Sequence, residues 1–272
     1  MSVLSPKQLS TVLNETRPGI WQPSSIQAVS YPSENHQLQD THQDQSFWYK
    51  HRERCLQAIF QHFPTPQLLD IGGSNGKLAQ ALPDTHVTLL EPGELGVARA
   101  EQDGQSPIIH ADLFSAQIHQ ESLPAAGMFD VLEHIEDDEA FIAEVYRILQ
   151  PGGRLYLTVP ALPWLWSPFD ESVGHYRRYL RKGLNTRLKE AGFQIQFSSY
   201  LFSPMPVPVW IIRKLRSFKG KAKNDKMDHA SKEGGLGKLV YNILSFERTF
   251  IKRKRVLPLG SSLVVVAQKS TP

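Results

Sequence analysis

Apolar residues along the chain fall into two spacings that alternate. From Ser46, the residues Trp48, Arg52, Cys55, Leu56, Ile59, Phe60 and Phe63 recur three or four apart, one helical face with Ser46 as its cap. Short apolar runs follow at Leu68–Ile71, His86–Glu91, Pro107–Asp112, Met128–Ile135, Arg154–Val159, Phe193–Phe197 and Ser261–Ala267, each with strand length and composition. Between them lie helical segments: Lys77–Leu82, the stripe Phe141, Ile142, Val145, Ile148 and Leu149, and Leu180–Ala191 closed by Gly192. Strands alternating with helices predict an α/β fold, a mostly parallel sheet covered on both faces. Residues 1–45 are rich in Ser, Gln, His, Asn and Pro without a clear period, and are expected to form a flexible polar arm before a domain spanning 46–272.

The most informative stretch is Leu68-Leu69-Asp70-Ile71-Gly72-Gly73-Ser74-Asn75-Gly76, an apolar strand running through a glycine turn into a helix. Glycines let the backbone approach a ligand, and the next helix offers unpaired N–H groups, so the turn is a nucleotide-cofactor site by default. A dinucleotide G-x-G-x-x-G fingerprint starting at Gly72 needs glycine at Ser74 and Lys77 and fails at both. A phosphate loop ending at Gly76-Lys77 needs glycine at Ile71 and a hydroxyl at Leu78, and fails as well. Glu91 ends the second strand 21 positions after Asp70, near the offset of ~20 at which an acid meets a ribose. A carboxylate accepts hydrogen bonds from both hydroxyls of such a diol. Asp112 ends the third strand in the same way.

Composition narrows the setting. With 272 residues and 40% apolar content, the chain can build one large domain. Its single cysteine, Cys55, excludes an internal disulfide and any cysteine-cluster metal site, and its helical spacing marks a core residue. His36 and His42 form no ligand pair, so no metal is expected. The first twenty-five residues lack an apolar signal core, and no run approaches the ~20 apolar residues of a spanning helix. The expected setting is the cytoplasm, with peripheral contact to a membrane as the variant.

Asp70, Gly72 and Gly76, with Ser74 at the middle glycine, resemble motif I of class I S-adenosylmethionine-dependent methyltransferases. The later order Phe129-Asp130-Val131-Leu132-Glu133-His134-Ile135, a helix, and Leu149-Gln150-Pro151-Gly152-Gly153 strengthens that resemblance. Ser46-Phe47-Trp48-Tyr49-Lys50-His51-Arg52 and Gly174-His175-Tyr176-Arg177-Arg178-Tyr179 extend it toward a bacterial subgroup similar to the type 11 and type 23 methyltransferase domains. The resemblance implies a Rossmann-like, doubly wound, seven-stranded sheet with an antiparallel last strand, and S-adenosylmethionine as cofactor. It implies that Asp70, Gly72, Gly73 and Gly76 hold the methionine end, that Glu91 meets the ribose and Asp112 with Leu113 the adenine, and that Asp130 stands beside the methionine portion. Trp166, His175, Arg177 and Arg178, after the fifth strand, are the expected acceptor-side residues. His134 and His175 are the alternatives for a base, if the acceptor needs one. The paired arginines either clamp an anionic acceptor or solvate a surface turn.

In that fold the sixth and seventh strands need only a short link, yet here 203–258 intervene as a helical insertion. Tyr200–Ile212 is apolar and broken by prolines, whereas residues 213–255 hold fourteen Lys/Arg against four acids, about +10. Since the whole chain carries +3, the remainder is acidic. A helix through Leu239, Val240, Ile243, Leu244, Phe246, Phe250 and Ile251 ends in Lys252-Arg253-Lys254-Arg255. Two readings stand: docking to an anionic membrane surface, or a helical cap with a solvated basic rim. Nucleic acid is disfavoured, because no basic motif interleaved with aromatics is present. The expected activity is methyl transfer to a small-molecule, glycan or lipid-linked acceptor. A membrane-associated protein that binds the cofactor without turning it over is the alternative.

Overall fold

The computed structural model describes residues 5–24, 47–211 and 235–271. Nine strands form one sheet: β1 (Leu13–Arg17), β2 (Ile20–Pro23), β3 (Gln67–Ile71), β4 (His86–Leu90), β5 (Ile108–Ile109), β6 (Leu123–Phe129), β7 (Leu149–Pro160), β8 (Phe193–Leu201) and β9 (Ser262–Lys269), in the order β1-β2-β5-β4-β3-β6-β7-β9-β8. From β5 to β8 this is the expected doubly wound seven-stranded sheet. The pairs β5–β4, β4–β3, β3–β6 and β6–β7 are parallel, and β9 runs antiparallel between β7 and β8. All five residues of β3 are buried, as a central strand covered on both faces requires. Alternate side chains serve two cores: Leu263, Val265 and Ala267 enter one, Val264 and Val266 the other. Successive strands fill one side of β3 and then the other, so a switch point opens between β3 and β6, where such sheets bind ligands at the strands' C-terminal ends.

Helices behave as their patterns direct. The helix Asp138–Ile148 is capped by Asp137, whose carboxylate accepts from the Ala140 N–H, and it buries Phe141, Ile142, Val145 and Ile148. Phe47–His62 packs Cys55, Leu56, Ile59 and Phe60 against the other face. The cap expected at Ser46 lies outside the described residues.

The reading of 1–45 as a flexible arm is corrected for its first part. Residues 5–24 form a short helix, Pro6–Leu9, and the β1–β2 hairpin, which extends the sheet past β5. Ile108 N–H donates to Gly19 O at 2.8 Å, His110 N–H to Trp21 O at 2.7 Å, and His119 N–H to Leu9 O at 2.7 Å. Leu9, Leu13 and Ile20 are buried, so this segment covers an edge that would otherwise be open. Its signal in the sequence is the Pro18-Gly19 turn, with Gly19 at φ +76. Other limits differ as well: the fourth strand, β6, spans Leu123–Phe129 rather than Met128–Ile135, with Leu132–His134 in a 3-10 turn, and β7 begins already at Leu149. β8 runs to Leu201 rather than Phe197, and only Ile108–Ile109 of the third run pairs as strand.

The insertion leaves from the end of β8. Its described parts are a helical turn over 206–211 and the helix Gly235–Lys252, which lies on Phe47–His62. Glu247 anchors that helix. Its buried carboxylate accepts from Phe202 N–H at 2.8 Å and from Ser203 N–H, and lies 2.8 Å from His51 Nε2. Cys55 Sγ stands 3.4 Å from the same imidazole nitrogen, and burial, with Glu247 nearby, pushes its thiol far above the usual range. This fits a core role rather than a nucleophile. Glu247→Ala strands two backbone donors and His51 together, so unfolding stability should fall by about 3 kcal/mol. Denaturant titration reads this as a lower midpoint with unchanged slope. A loss below about 1 kcal/mol would show that the helix is held by something else.

Candidate cofactor and acceptor site

The glycine turn lies at the C-terminal end of β3, on the central switch point. Gly72 and Gly76 have φ of +68 and +71, and Ser74 adopts the same left-handed region at φ +53 despite its side chain. A β-carbon on Gly72 would come within 2.9 Å of Val131 Cγ2, and one on Gly73 within 2.2 Å of Asp70 Oδ2. Gly73 therefore stands directly over the Asp70 carboxylate. That carboxylate is 1% exposed, and neither oxygen has a hydrogen-bond partner among the described residues. Burial raises Asp70 to about 7, with Glu91 adding to the rise and Arg52 opposing it.

Glu91, at the end of β4, ties the turn to the sheet. Its Oε2 accepts from Ser74 N–H at 2.8 Å and its Oε1 from Gly93 N–H at 2.7 Å. Burial also carries Glu91 to about 7, against the pull of those two amides. Asp112 caps a local turn, with Oδ1 accepting from Phe114 N–H at 2.9 Å and Ser115 N–H at 3.0 Å, and Oδ2 from the Ser115 hydroxyl. Leu113 beside it is buried in the core. The three strand-end acids thus differ in kind: one unpartnered, one bridging, one capping.

On the other side of the switch point Asp130 has φ +60, and Arg52 donates to its Oδ2. Arg52 was not foreseen as a site residue, although it belongs to the aromatic lead-in. Its guanidinium lies 5.0 Å from the Trp48 ring centroid and 5.4 Å from that of Tyr49.

The loop after β7 folds over this end of the sheet. His134 and His175, the two base alternatives, meet edge to face with ring centroids 4.6 Å apart. Asp170 organises the loop. It accepts from His175 Nδ1 at 3.0 Å, from Arg178 at 2.7 Å and from Ser167 N–H at 2.9 Å. Burial alone would raise the Asp170 carboxyl, but His175 and Arg178 outweigh it and hold it at about 2. An ionised carboxylate only accepts, so His175 carries its proton on Nδ1 and turns Nε2 toward Glu133 Oε1, 3.9 Å away. His134 is lowered to about 4, first by burial and then by His175. Arg177 pairs with Asp138 at 2.9 Å. Both arginines therefore hold the loop through buried carboxylates, neither simply solvating a turn nor forming a symmetric clamp. They still line, with Pro163, Trp166 and Tyr176, an open depression of about 370 Å3. Of the foreseen acceptor-side residues, Trp166, Arg177 and Arg178 meet at this depression, while His175 is not part of its lining and packs on His134.

The buried acid gives a prediction. With a folded pKa near 7 against 3.8 unfolded, Asp70 contributes stability below about pH 4 that is lost as pH rises to 7. Asp70→Asn should match the parent near pH 4 and exceed it by about 4 kcal/mol above pH 7. Parallel stability curves from denaturation across that range would contradict the buried, unpaired state.

The comparisons with known proteins agree with this geometry. Residues 69–157 match the methyltransferase domain. A probable S-adenosylmethionine-dependent methyltransferase of Mycolicibacterium smegmatis is 24% identical over 158 residues, 56% of this chain and 62% of that protein. The ubiquinone biosynthesis O-methyltransferase of Pseudomonas aeruginosa (strain UCBPP-PA14) is 32% identical over 153 residues, 48% of this chain and 65% of that protein. The chain thus spans somewhat under two thirds of the length of these two relatives. Among solved structures, an S-adenosylmethionine-dependent methyltransferase of Thermotoga maritima, described as a possible histamine N-methyltransferase, superposes with TM-score 0.55 at 18% identity, covering 87% of this chain and 94% of its own. That likeness speaks for the fold alone. The matched segment, 69–157, spans the glycine turn, the strand-end acids Asp70, Glu91 and Asp112, and the Asp130 strand, and it is this part of the chain that is similar to the methyltransferase domain of S-adenosylmethionine-dependent methyltransferases.

Proposed function

We propose that the protein methylates an amphiphilic, hydroxyl-bearing acceptor delivered from a membrane surface. The observation that carries the cofactor half is the buried Asp70 carboxylate, which has no hydrogen-bond partner among the described residues and is roofed by Gly73. An acid in that state suits a cationic ligand group, because charge and hydrogen bonds would arrive together. S-adenosylmethionine, when bound, supplies an electrophilic methyl on a sulfonium. Gly72 and Gly73 keep side chains out of the approach, and Glu91 fixes the turn through Ser74 while its remaining lone pairs are free to accept from a diol. Arg52 holds Asp130 in its left-handed conformation at the β6 end.

For a hydroxyl acceptor, His175 is the base: Asp170 orients it and stabilises the imidazolium that forms on taking the proton. The depression bordered by Trp166 and Tyr176 offers aromatic surface, and alignment there supplies much of the rate gain. The Pseudomonas relative is named for O-methylation in ubiquinone biosynthesis, which favours oxygen as the methylated atom.

The membrane half rests on the insertion. Val207, Trp210, Ile211 and Phe246 are exposed to 55%, 42%, 44% and 37%. Immediately after Ile211 the sequence carries Arg213, Lys214, Arg216, Lys219, Lys221 and Lys223, a segment outside the described residues. Exposed apolar side chains next to clustered cations match an anionic lipid surface. Among the described residues no helix is long and apolar enough to cross a membrane.

Two measurements test this reading. Purified protein with methyl-labelled S-adenosylmethionine and a cell extract should place label in the organic fraction, and Glu91→Ala should remove it. Label only in small polar compounds would discard the amphiphilic acceptor, and no label would leave a non-catalytic binding protein. Separately, the protein should sediment with phosphatidylglycerol-containing vesicles at low salt and release at high salt. The double variant Trp210→Ser, Phe246→Ser should weaken that binding at least about tenfold. Equal binding to uncharged vesicles would contradict the basic segment's role.

A further inference from the structure

We infer that Glu133, His134 and His175 form a binding site for a divalent cation of the zinc class, beside the loop whose Tyr176, Arg177 and Arg178 line the acceptor depression. One ligand atom from each of the three lies within 4.8 Å of the others. Two imidazoles and one carboxylate are the donor set of catalytic zinc sites that keep a fourth position open for water or substrate. Glu133 is 1% exposed, and its Oε2 is buried without a hydrogen-bond partner among the described residues. The two histidines are only partly buried, so the cluster is not sealed from solvent.

The surroundings prepare the ligands. Asp170 Oδ1 takes the His175 Nδ1 proton at 3.0 Å, the carboxylate–histidine arrangement that fixes the tautomer and raises the basicity of a metal-binding Nε2. Asp170 is itself held by Arg178 and Ser167. The chain positions the third partner as well, since Tyr176 N–H donates to the Glu133 carbonyl at 2.8 Å and ties the His175 loop to the Leu132–His134 turn. His175 Nε2 and Glu133 Oε1 are 3.9 Å apart. Metal–ligand bonds of ~2.0–2.2 Å in tetrahedral array bring donors to about 3.4 Å, so closure needs a shift of about half an ångström. Sequence spacing hides the site, because two ligands are adjacent and the third arrives 41 residues later from another loop.

The other His/Cys/Glu cluster, His51, Cys55 and Glu247, is different. Its members already bond to one another, and both Glu247 oxygens serve backbone amides. The consequence for acceptor chemistry rests on the methyl-transfer reading: an acceptor oxygen on the open position would lose its proton more readily, and His175 would then act as ligand rather than base. Cation binding itself does not rest on it.

The test is a Co2+ titration of chelator-treated, full-length protein, followed by visible absorption. One equivalent should bind with the strong bands of four- or five-coordinate cobalt and be displaced by Zn2+. Glu133→Gln and His175→Gln should each weaken binding more than about tenfold, and His51→Gln should not. The thermal midpoint of each metal-free variant checks that it folds. Absence of stoichiometric cobalt, octahedral bands insensitive to Glu133→Gln in folded protein, or a thiolate charge-transfer band from Cys55 would overturn the proposal. Calorimetric binding of S-adenosylmethionine to the metal-free parent separates that failure from a failure of the cofactor site.

Discussion

A buried carboxylate with no hydrogen-bond partner among the described residues is the constraint on which the rest of this molecule turns. Asp70 sits on the central strand, where a charge is costly, and Gly73 covers it so closely that no side chain fits between them. The neighbours limit that cost without removing it: Arg52 lies near enough to favour the ionised form, and Glu91 near enough to oppose it. Such an arrangement is poor for stability alone and makes sense where a cationic ligand completes it. Fold and cofactor are therefore linked through one residue.

Around that point, two other buried acids secure the segments that pack beside the sheet. Asp170 gathers His175, Arg178 and Ser167, and thereby fixes the loop that follows β7. Glu247 gathers His51 with the Phe202 and Ser203 amides, and fixes the inserted helix. In each case the acid has several donors, the condition under which a buried charge holds a geometry. The Glu247 attachment joins elements that lie far apart in sequence.

Much of this was legible before any coordinates. The β3 turn, Glu91 and the Asp130 strand announce themselves through local spacing, and the doubly wound order follows from alternating strands and helices. What stayed hidden depends on contacts between distant segments. The β1–β2 hairpin carries only a few apolar residues, Leu13 in β1 and Ile20 and Trp21 in β2, and pairs with the β5 edge, so periodicity gives no sign of it. The Arg177-Arg178 pair looks like an anion clamp in sequence, and only the fold brings Asp138 and Asp170 to it. Arg52 likewise becomes a site residue only when its helix crosses the end of β6.

A cationic ligand that completes the Asp70 site must leave its carboxylate charged. Calorimetric titration with S-adenosylmethionine at pH 7, repeated in buffers of different ionisation enthalpy, measures the protons exchanged on binding. The account predicts net proton release that diminishes above pH 8 and drops sharply in Asp70→Asn. Binding with no proton exchange, or with release unchanged by that substitution, would contradict it.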